Sequence, residues 1–444
     1  MITNLRFKNF KAWKDSCQIR LAPLTVFFGA NSAGKTSIAQ LLLMLKQTAA
    51  SPDRQGVLQF GGGRALVDLG SFQDVSHNQD RRRPLDISLE WTLDQPLVVV
   101  NPLPPKERRE GQTLRFDVTI KADRLWQPGV RSMGYELLRD GRTTLALRME
   151  PSRPGKTTRG GAPVEFDLQA VGYETKRNHG RPWPLPQPVR FYGFPDEATA
   201  YFQNTAFAAD LVLSLERLLQ SVHHVGPLRE SPRPLYTWSG EVPEHVGAKG
   251  ERAVEAILAA SDRSFNWKAR QRSNGLDVVV ARQLREMGLI SGFRVEPVAK
   301  GRNEYEVLVQ TGVRLPEVKL TDVGFGVSQV LPVLVECLYV PKRSVVIFEQ
   351  PEIHLHPRVQ SELADVFVDA IHAREDGQPR ECQFIVESHS EHFLRRLQRR
   401  MAEAGLSGTE GDRGLAPSDA ALYFVTADEK DGAATCRELE TDPY

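Results

Sequence analysis

Residues 27–37 read FFGANSAGKTS, and Gly29, Gly34, Lys35 and Thr36 stand at the fixed positions of G-x-x-x-x-G-K-[ST]. The residue types suit one chemistry. Backbone N–H groups of a glycine-rich turn through Gly29, Ala30, Asn31, Ser32, Ala33 and Gly34, with the free N–H groups of a helix that starts near Lys35, Thr36 and Ser37, form an anion nest. Lys35 adds a point charge for β- and γ-phosphates, and the Thr36 hydroxyl a ligand for Mg2+. A second stretch, SVVIFEQPEIHLHP, runs four apolar residues, Val345 to Phe348, into Glu349. A carboxylate at the end of a buried parallel strand can hold Mg2+, directly or through water. Further on, CQFIVESHSEHF places Ser388 and His389 after another apolar run, and LTDVGFGVSQVLPVL puts glycines and polar residues at the start of an apolar helix.

Elements must carry these groups. LTVFF, before the glycine turn, is a short β-branched and aromatic run that reads as a buried strand, and SIAQLLLMLKQ after it is apolar at helical spacing. TNLRFKNF and CQIRL are expected strands, and residues 54–75 a glycine-rich loop. From Pro84 to about Tyr173 the pattern alternates, as in LDISLEWTL, LRFDVTI, TLALRME and VEFDLQAVGYE. The breaks NPLPPKERREG and PSRPGKTTRGG separate these runs, and the second is expected to be mobile. Helices are expected at FAADLVLSLERLLQSV, GERAVEAILAAS and around VARQLREMGL, and a strand pair at GFRVEPVAK and EYEVLVQT, split by GRN. The domains expected are residues 1–83 and 320–444 as two halves of one head, 84–200 as a β-rich region, and 201–319 as a helical and mixed lobe.

The 444 residues carry a formal net charge of +1, with 25% of them charged, so no global field draws a polyanion or a membrane. MITNLRFKNFKAWK is not expected to act as a signal region, and VLPVLVECLYV, which contains Glu336, is too short to span a bilayer. The four cysteines are scattered with no C-x-x-C pair, which fits a reducing cytosol and argues against a zinc ribbon. His354, His356, His389 and His392 come from two separate elements and are not expected to form a metal site. In HFLRRLQRR, Arg395 with Arg399 and Arg396 with Arg400 lie at i,i+4 spacing and are read as solvated faces rather than DNA contacts, as are the runs RRR at 81–83 and KERR at 106–109.

In that order the motifs resemble the heads of ABC-type ATPases. They are most similar to the small stand-alone ATPases related to the OLD (overcoming lysogenization defect) proteins and, more distantly, to SMC heads. The specific strings are E-Q-P-E-x-H-L-H-P and G-F-G-V-S-Q, and the motif-bearing likeness covers residues 1 to about 75 and 320–395. HHVGPLRESP, at 223–232, also looks like a family segment, with no chemistry attached. The resemblance implies an α/β head with a mixed sheet flanked by helices, ATP and Mg2+ as cofactors, and a cytoplasmic location. Gly29 to Ser37 would be Walker A, Glu349 the Walker B carboxylate, and Gln73, in GSFQDVSH, a Q-loop contact to Mg2+. Thr321, Gly324, Gly326, Ser328 and Gln329 would belong to the signature segment offered to a partner's nucleotide, with Thr321 or Ser328 in the place of its serine. The heads would then close as a dimer around two ATP molecules. His356 and Pro357 would line the dimer seam, and His389 would stand near the γ-phosphate.

In such heads the Walker B carboxylate is followed by a glutamate that activates water, whereas Gln350 stands there in this chain. A glutamine orients water but cannot take its proton. Slow hydrolysis follows, with Gln350 positioning the water and Glu352 or His389 assisting. The family commonly gates an effector or acts on DNA, often in anti-phage defence. The rival readings are a nucleotide-dependent scaffold with little turnover and an OLD-type nuclease. The last needs a second acidic metal site, and LYFVTADEKDG is the sole acidic cluster after His389. Because the chain stops in the polar stretch RELETDPY, a further C-terminal segment is expected.

Overall fold

A computed structural model describes residues 1–63, 65–152, 164–178, 183–267, 272–407, 414–428 and 431–439. The break PSRPGKTTRGG, expected to be mobile, lies from residue 153 onward outside the described residues. The chain opens with strands β1 (Ile2–Phe10), β2 (Trp13–Asp15), β3 (Ile19–Arg20) and β4 (Leu24–Gly29), then helix α1 (Thr36–Ala50) and the single turn α2 (Phe72–Val75). Long strands follow: β5 (Leu85–Val100), β6 (Arg108–Ala122), β7 (Pro128–Arg139), β8 (Arg142–Pro151) and β9 (Phe166–Val171). Helices α3 (Asp196–Ala200) and α4 (Ala208–Gln220) lead to β10 (Val222–Val225), β11 (Tyr236–Thr237), α5 (Ala253–Ala259), β12 (Phe265–Asn266), α6 (Leu276–Glu286), β13 (Gly292–Pro297), β14 (Glu304–Gln310) and β15 (Val318–Lys319). The remainder is α7 (Phe325–Tyr339), β16 (Val345–Glu349), α8 (Pro357–Ile371), β17 (Arg374–Glu375), β18 (Gln378–Pro379), β19 (Gln383–Glu387), α9 (Glu391–Ser407), β20 (Ala420–Ala427) and β21 (Ala434–Glu438). The fold is mixed α/β.

The chain divides into two compact units. The first gathers Met1–Leu21, Ser32–Gln220 and Thr426–Cys436. Its antiparallel sheet runs β2-β1-β5-β6-β7-β8-β9, with β3 also on β1. The alternating stretches become β5, β6, β8 and β9; β6 and the first half of β5 bury one face, whereas β8 buries Leu145, Ala146 and Leu147 in succession. β7, which alternation did not single out, completes the sheet between β6 and β8; its residues 133–138 are buried on both faces, so no period of two is left to read. The arginine runs make local ion pairs: Arg82 and Arg83 with Asp80, Arg108 with Glu110, and Arg109 with Glu107.

The second unit holds Ala22–Asn31, Ser221–Val425 and Arg437–Tyr444. Its main sheet is ordered β10-β16-β19-β4-β20-β21, and β10, β16, β19, β4 and β20 run parallel. LTVFF is β4, buried through Phe28 as expected. α7 is buried all round from Val327 to Tyr339, as befits a helix without a polar face. It packs with α5, α6, α8 and the sheet in one apolar core. GFRVEP and EYEVLVQ pair as a hairpin.

The reading of the α9 arginines divides. Arg395 and Arg399 do make exposed pairs, with Glu391 and Glu403. Arg396 and Arg400 do not form a solvated face: both clamp the carboxylate of Asp365 on α8, which is 4% exposed. An i,i+4 spacing places two arginines on one helix face; here that face packs inward, where the charges need an anion.

Candidate nucleotide site

In the second unit, five parallel strands end at one edge of the sheet, where α/β folds bind ligands. β4 ends on Gly29, which has φ +143°, and a Cβ there would stand 2.1 Å from the carbonyl oxygen of Val425 on β20. Only glycine lets the chain leave β4 so close to its neighbour. Ala30 and Asn31 follow and are exposed.

β16 ends on Glu349, whose Oε1 lies 2.8 Å from Nε2 of His224 on β10. That contact orients the carboxylate, and hard oxygen donors of this kind suit Mg2+. Gln350 follows with φ +45°, the left-handed region that a non-glycine residue enters at a cost of about 1 kcal/mol or more. Its N–H donates to the Glu387 carbonyl of β19 at 2.8 Å, and the Ile353 N–H bonds back to its own carbonyl at 3.1 Å. This turn swings Glu352 toward β19. Glu352 is 6% exposed, and its Oε1 accepts the His389 N–H at 2.6 Å. Nε2 of His389 stands 3.9 Å from Oε1 of Glu387. Glu349, Gln350, Glu352 and His389 are therefore brought to one edge, with Gly29–Asn31 at the end of β4.

The signature segment is built differently. Gly324 caps the start of α7, and Thr321 and Gly324 are exposed. Ser328 and Gln329 are buried, and Ser328 Oγ donates to the Phe325 carbonyl at 2.9 Å. Of the two hydroxyls considered for the signature serine, Thr321 faces outward, with its Oγ1 donating to Asp322, and Ser328 is committed to its own helix. Gly326 lies between them and is half-buried. His356 caps α8, and Pro357 takes the first helical position.

In the first unit, Ser32 has φ +62° and Gly34 φ +99°. A Cβ on Gly34 would meet Ala434, Ala12 and the indole of Trp13 at 2.9–3.1 Å, and Trp13 Nε1 donates to the Gly34 carbonyl at 2.9 Å. Ala33, Lys35 and Ser37 are buried and Thr36 half-buried. Gln73 lies on α2, and its Nε2 donates to Gln79 at 3.3 Å.

Two groups near the sheet edge were missed from the sequence. His224 and Arg229 both lie in HHVGPLRESP, which carried no chemistry when read as a string; the two histidines between Val222 and Val225, the strand β10, were the available signal. A further cluster of ligand-type atoms, on His223, His245 and Glu336, falls within 4.8 Å.

Two family models match parts of the chain. Residues 1–179 match the family model described as "AAA ATPase domain". Residues 253–395 match the model described as "AAA domain, putative AbiEii toxin, Type IV TA system". Both descriptions name an AAA domain. No curated protein matches the chain significantly. Among solved structures, an SMC head bound to the C-winged helix domain of ScpA aligns over 99% of this chain and 98% of its own, with 10% identity and a TM-score of 0.43. The SMC head domain from Thermotoga maritima aligns over 99% of each chain, at 12% identity and 0.40. An SMC head with an extended coiled coil from Pyrococcus furiosus, bound to the C-terminal domain of ScpA, covers 99% of this chain and 96% of that one, at 11% and 0.38. Among the described residues no helix is long and apolar enough to cross a membrane.

Proposed function

We propose that this chain is an ABC-type ATPase head that binds ATP with Mg2+, hydrolyses it slowly, and closes head to head with a second copy as a nucleotide-driven switch. The observation that carries the reading is the shared edge of the parallel sheet, where the strand leading into G-A-N-S-A-G-K-T ends beside the strands bearing Glu349, Gln350, Glu352 and His389. The two AAA ATPase matches support it.

Residues Gly29 to Ser37 would hold the phosphates through backbone N–H groups, with Lys35 on the β- and γ-oxygens and Thr36 and Glu349 toward Mg2+. Mg2+ would neutralise charge between the phosphates. Gln350 would hold the attacking water by hydrogen bonds, and Glu352, with the His389 N–H already on Oε1, would receive a proton at Oε2. Catalysis of this kind is mostly positioning and charge stabilisation. Thr321, Gly324 and the start of α7 would face the partner's nucleotide. The biological output we favour, on the family resemblance, is gating of an effector protein in anti-phage defence, from a cytoplasmic location.

Lys35→Ala tests the reading. The variant should lose tight ATP binding in a fluorescent-nucleotide titration, because the β,γ-phosphate charge loses its cation. Wild-type affinity in the variant would remove the assignment. A scaffold with little turnover is the second reading, favoured by Gln350 where a base is expected. Phosphate release over time with Mg2+ separates the two.

A further inference from the structure

A guanidinium carries a fixed charge and five N–H donors, and proteins bury it with partners. Arg229 is 9% exposed, and none of its Nε, Nη1 and Nη2 has a hydrogen-bond partner. Desolvation pulls its pKa down to about 10, against the attraction of Glu352. The backbone fixes the segment on both sides of Arg229: the Gly226 N–H donates to the Ala248 carbonyl at 2.7 Å, and the Glu230 N–H to the Lys249 carbonyl at 2.9 Å. Val225, the last residue of β10, pairs in parallel with Phe348, so Arg229 follows the same strand ends as Glu349 and Glu387.

Glu352 is the carboxylate that acts on this cation, and its Oε2 is also buried without a partner. The two do not hydrogen-bond each other. A cation with only donors and a carboxylate oxygen that only accepts, each buried without a hydrogen-bond partner, are both satisfied by a group placed between them. That group must accept from the arginine and donate to the carboxylate. A phosphoryl group with an attacking water does both.

We propose that Arg229 donates to the oxygens of the terminal phosphoryl group of bound ATP, with Glu352 Oε2 accepting from the water that attacks it. The assignment rests on the nucleotide reading above and adds a ligand to it. In the step, the water oxygen bonds to the γ-phosphorus, the bond from phosphorus to the β,γ-bridging oxygen breaks with its electron pair leaving on ADP, and the water proton passes to Glu352. Arg229 keeps its proton and donates hydrogen bonds throughout. Charge developing on the equatorial oxygens then meets a cation already desolvated, which needs little reorganisation.

The test compares a non-hydrolysable fluorescent ATP analogue with fluorescent ADP, each with Mg2+, on wild type, Arg229→Gln and Arg229→Lys. A charge-assisted hydrogen bond to the γ-phosphate predicts that Arg229→Gln binds the ATP analogue ~10- to 100-fold more weakly, with ADP affinity within about twofold of wild type. Arg229→Lys should recover part of the loss. Thermal melts without nucleotide report folding, and if the glutamine variant does not fold, the lysine variant carries the same comparison, with a smaller shift confined to the ATP analogue. Equal weakening of both nucleotides, or unchanged binding with slower turnover, overturns the contact: the arginine then shapes the fold or acts through Glu352. A wild type that binds neither nucleotide would instead remove the nucleotide reading itself, and this assignment with it.

Discussion

Asp365→Asn is the sharpest probe of how α8 and α9 are joined. Asp365 accepts from Arg396 Nε at 3.0 and 3.1 Å and Nη2 at 2.6 Å, and from Arg400 Nε at 2.6 Å and Nη2 at 2.9 Å. The three side chains are 4%, 20% and 12% exposed, in that order. Asparagine keeps the shape but turns N–H donors toward two guanidinium groups. Breaking a buried charge pair by removing one partner costs about 3–5 kcal/mol. Arg400 retains Glu403 at 2.6 Å and Arg396 has Glu362 at 4.0 Å, which points to the lower end, about 3 kcal/mol. For a unit of about 200 residues that is roughly 6–12 °C in the melting temperature of the transition that unfolds it. The pH dependence is a second check. Burial pushes the Asp365 carboxyl up, and the hydrogen bonds and charges of Arg400 and Arg396 outweigh it, so the folded value lies below the ordinary one. A depressed carboxylate contributes its full stability above the unfolded value, about 3.9, and loses it as pH falls through the folded value. Scanning calorimetry of both proteins should therefore show a gap that is constant from pH 7 to about 5 and narrows only in stronger acid. A variant within 1 °C of wild type at about pH 7, or a gap that closes before pH 5, would refute the clamp.

Three further outcomes follow from the site. Gly29→Ala should cost about 3 kcal/mol or more, because a Cβ there meets the Val425 carbonyl at 2.1 Å; a melting temperature equal to wild type would mean that β20 yields freely. Gln350→Glu should raise the rate of phosphate release if the position lacks only a base, and Glu352→Gln should lower it on the order of a hundredfold or more with ATP binding kept; no change in either leaves water activation elsewhere. A non-hydrolysable ATP analogue with Mg2+ should shift light scattering from monomer toward dimer, since closed two-fold pairing gives each exposed Thr321–Gly324 segment a nucleotide to meet. A monomer at high concentration counts against that closure.

What the sequence disclosed depends on where each signal is stored. β4, β16 and β19 are short apolar runs, and Glu349 stands at a strand end, so their placement follows from order along the chain. β7 escaped because burial on both faces erases alternation. Arg396 and Arg400 were legible as a helix face, but their anion lies on another helix, and spacing within α9 carries no word of Asp365. Arg229 is harder still, because its isolation exists only once residues 226–230 are tied to Ala248 and Lys249.

Q-P-E shows both limits in three residues. As a string it says that a carboxylate follows a glutamine and a proline. Folded, the left-handed turn at Gln350 and its bond to the Glu387 carbonyl aim Glu352 back at the His389 N–H. The residue two places beyond the expected base is thereby returned to the end of the neighbouring strand. A carboxylate has thus not been lost from this edge in the exchange for Gln350; it is supplied from the far side of the turn. Turnover in Gln350→Glu and Glu352→Gln would separate those two positions, because a base at either one makes the other's carboxylate dispensable.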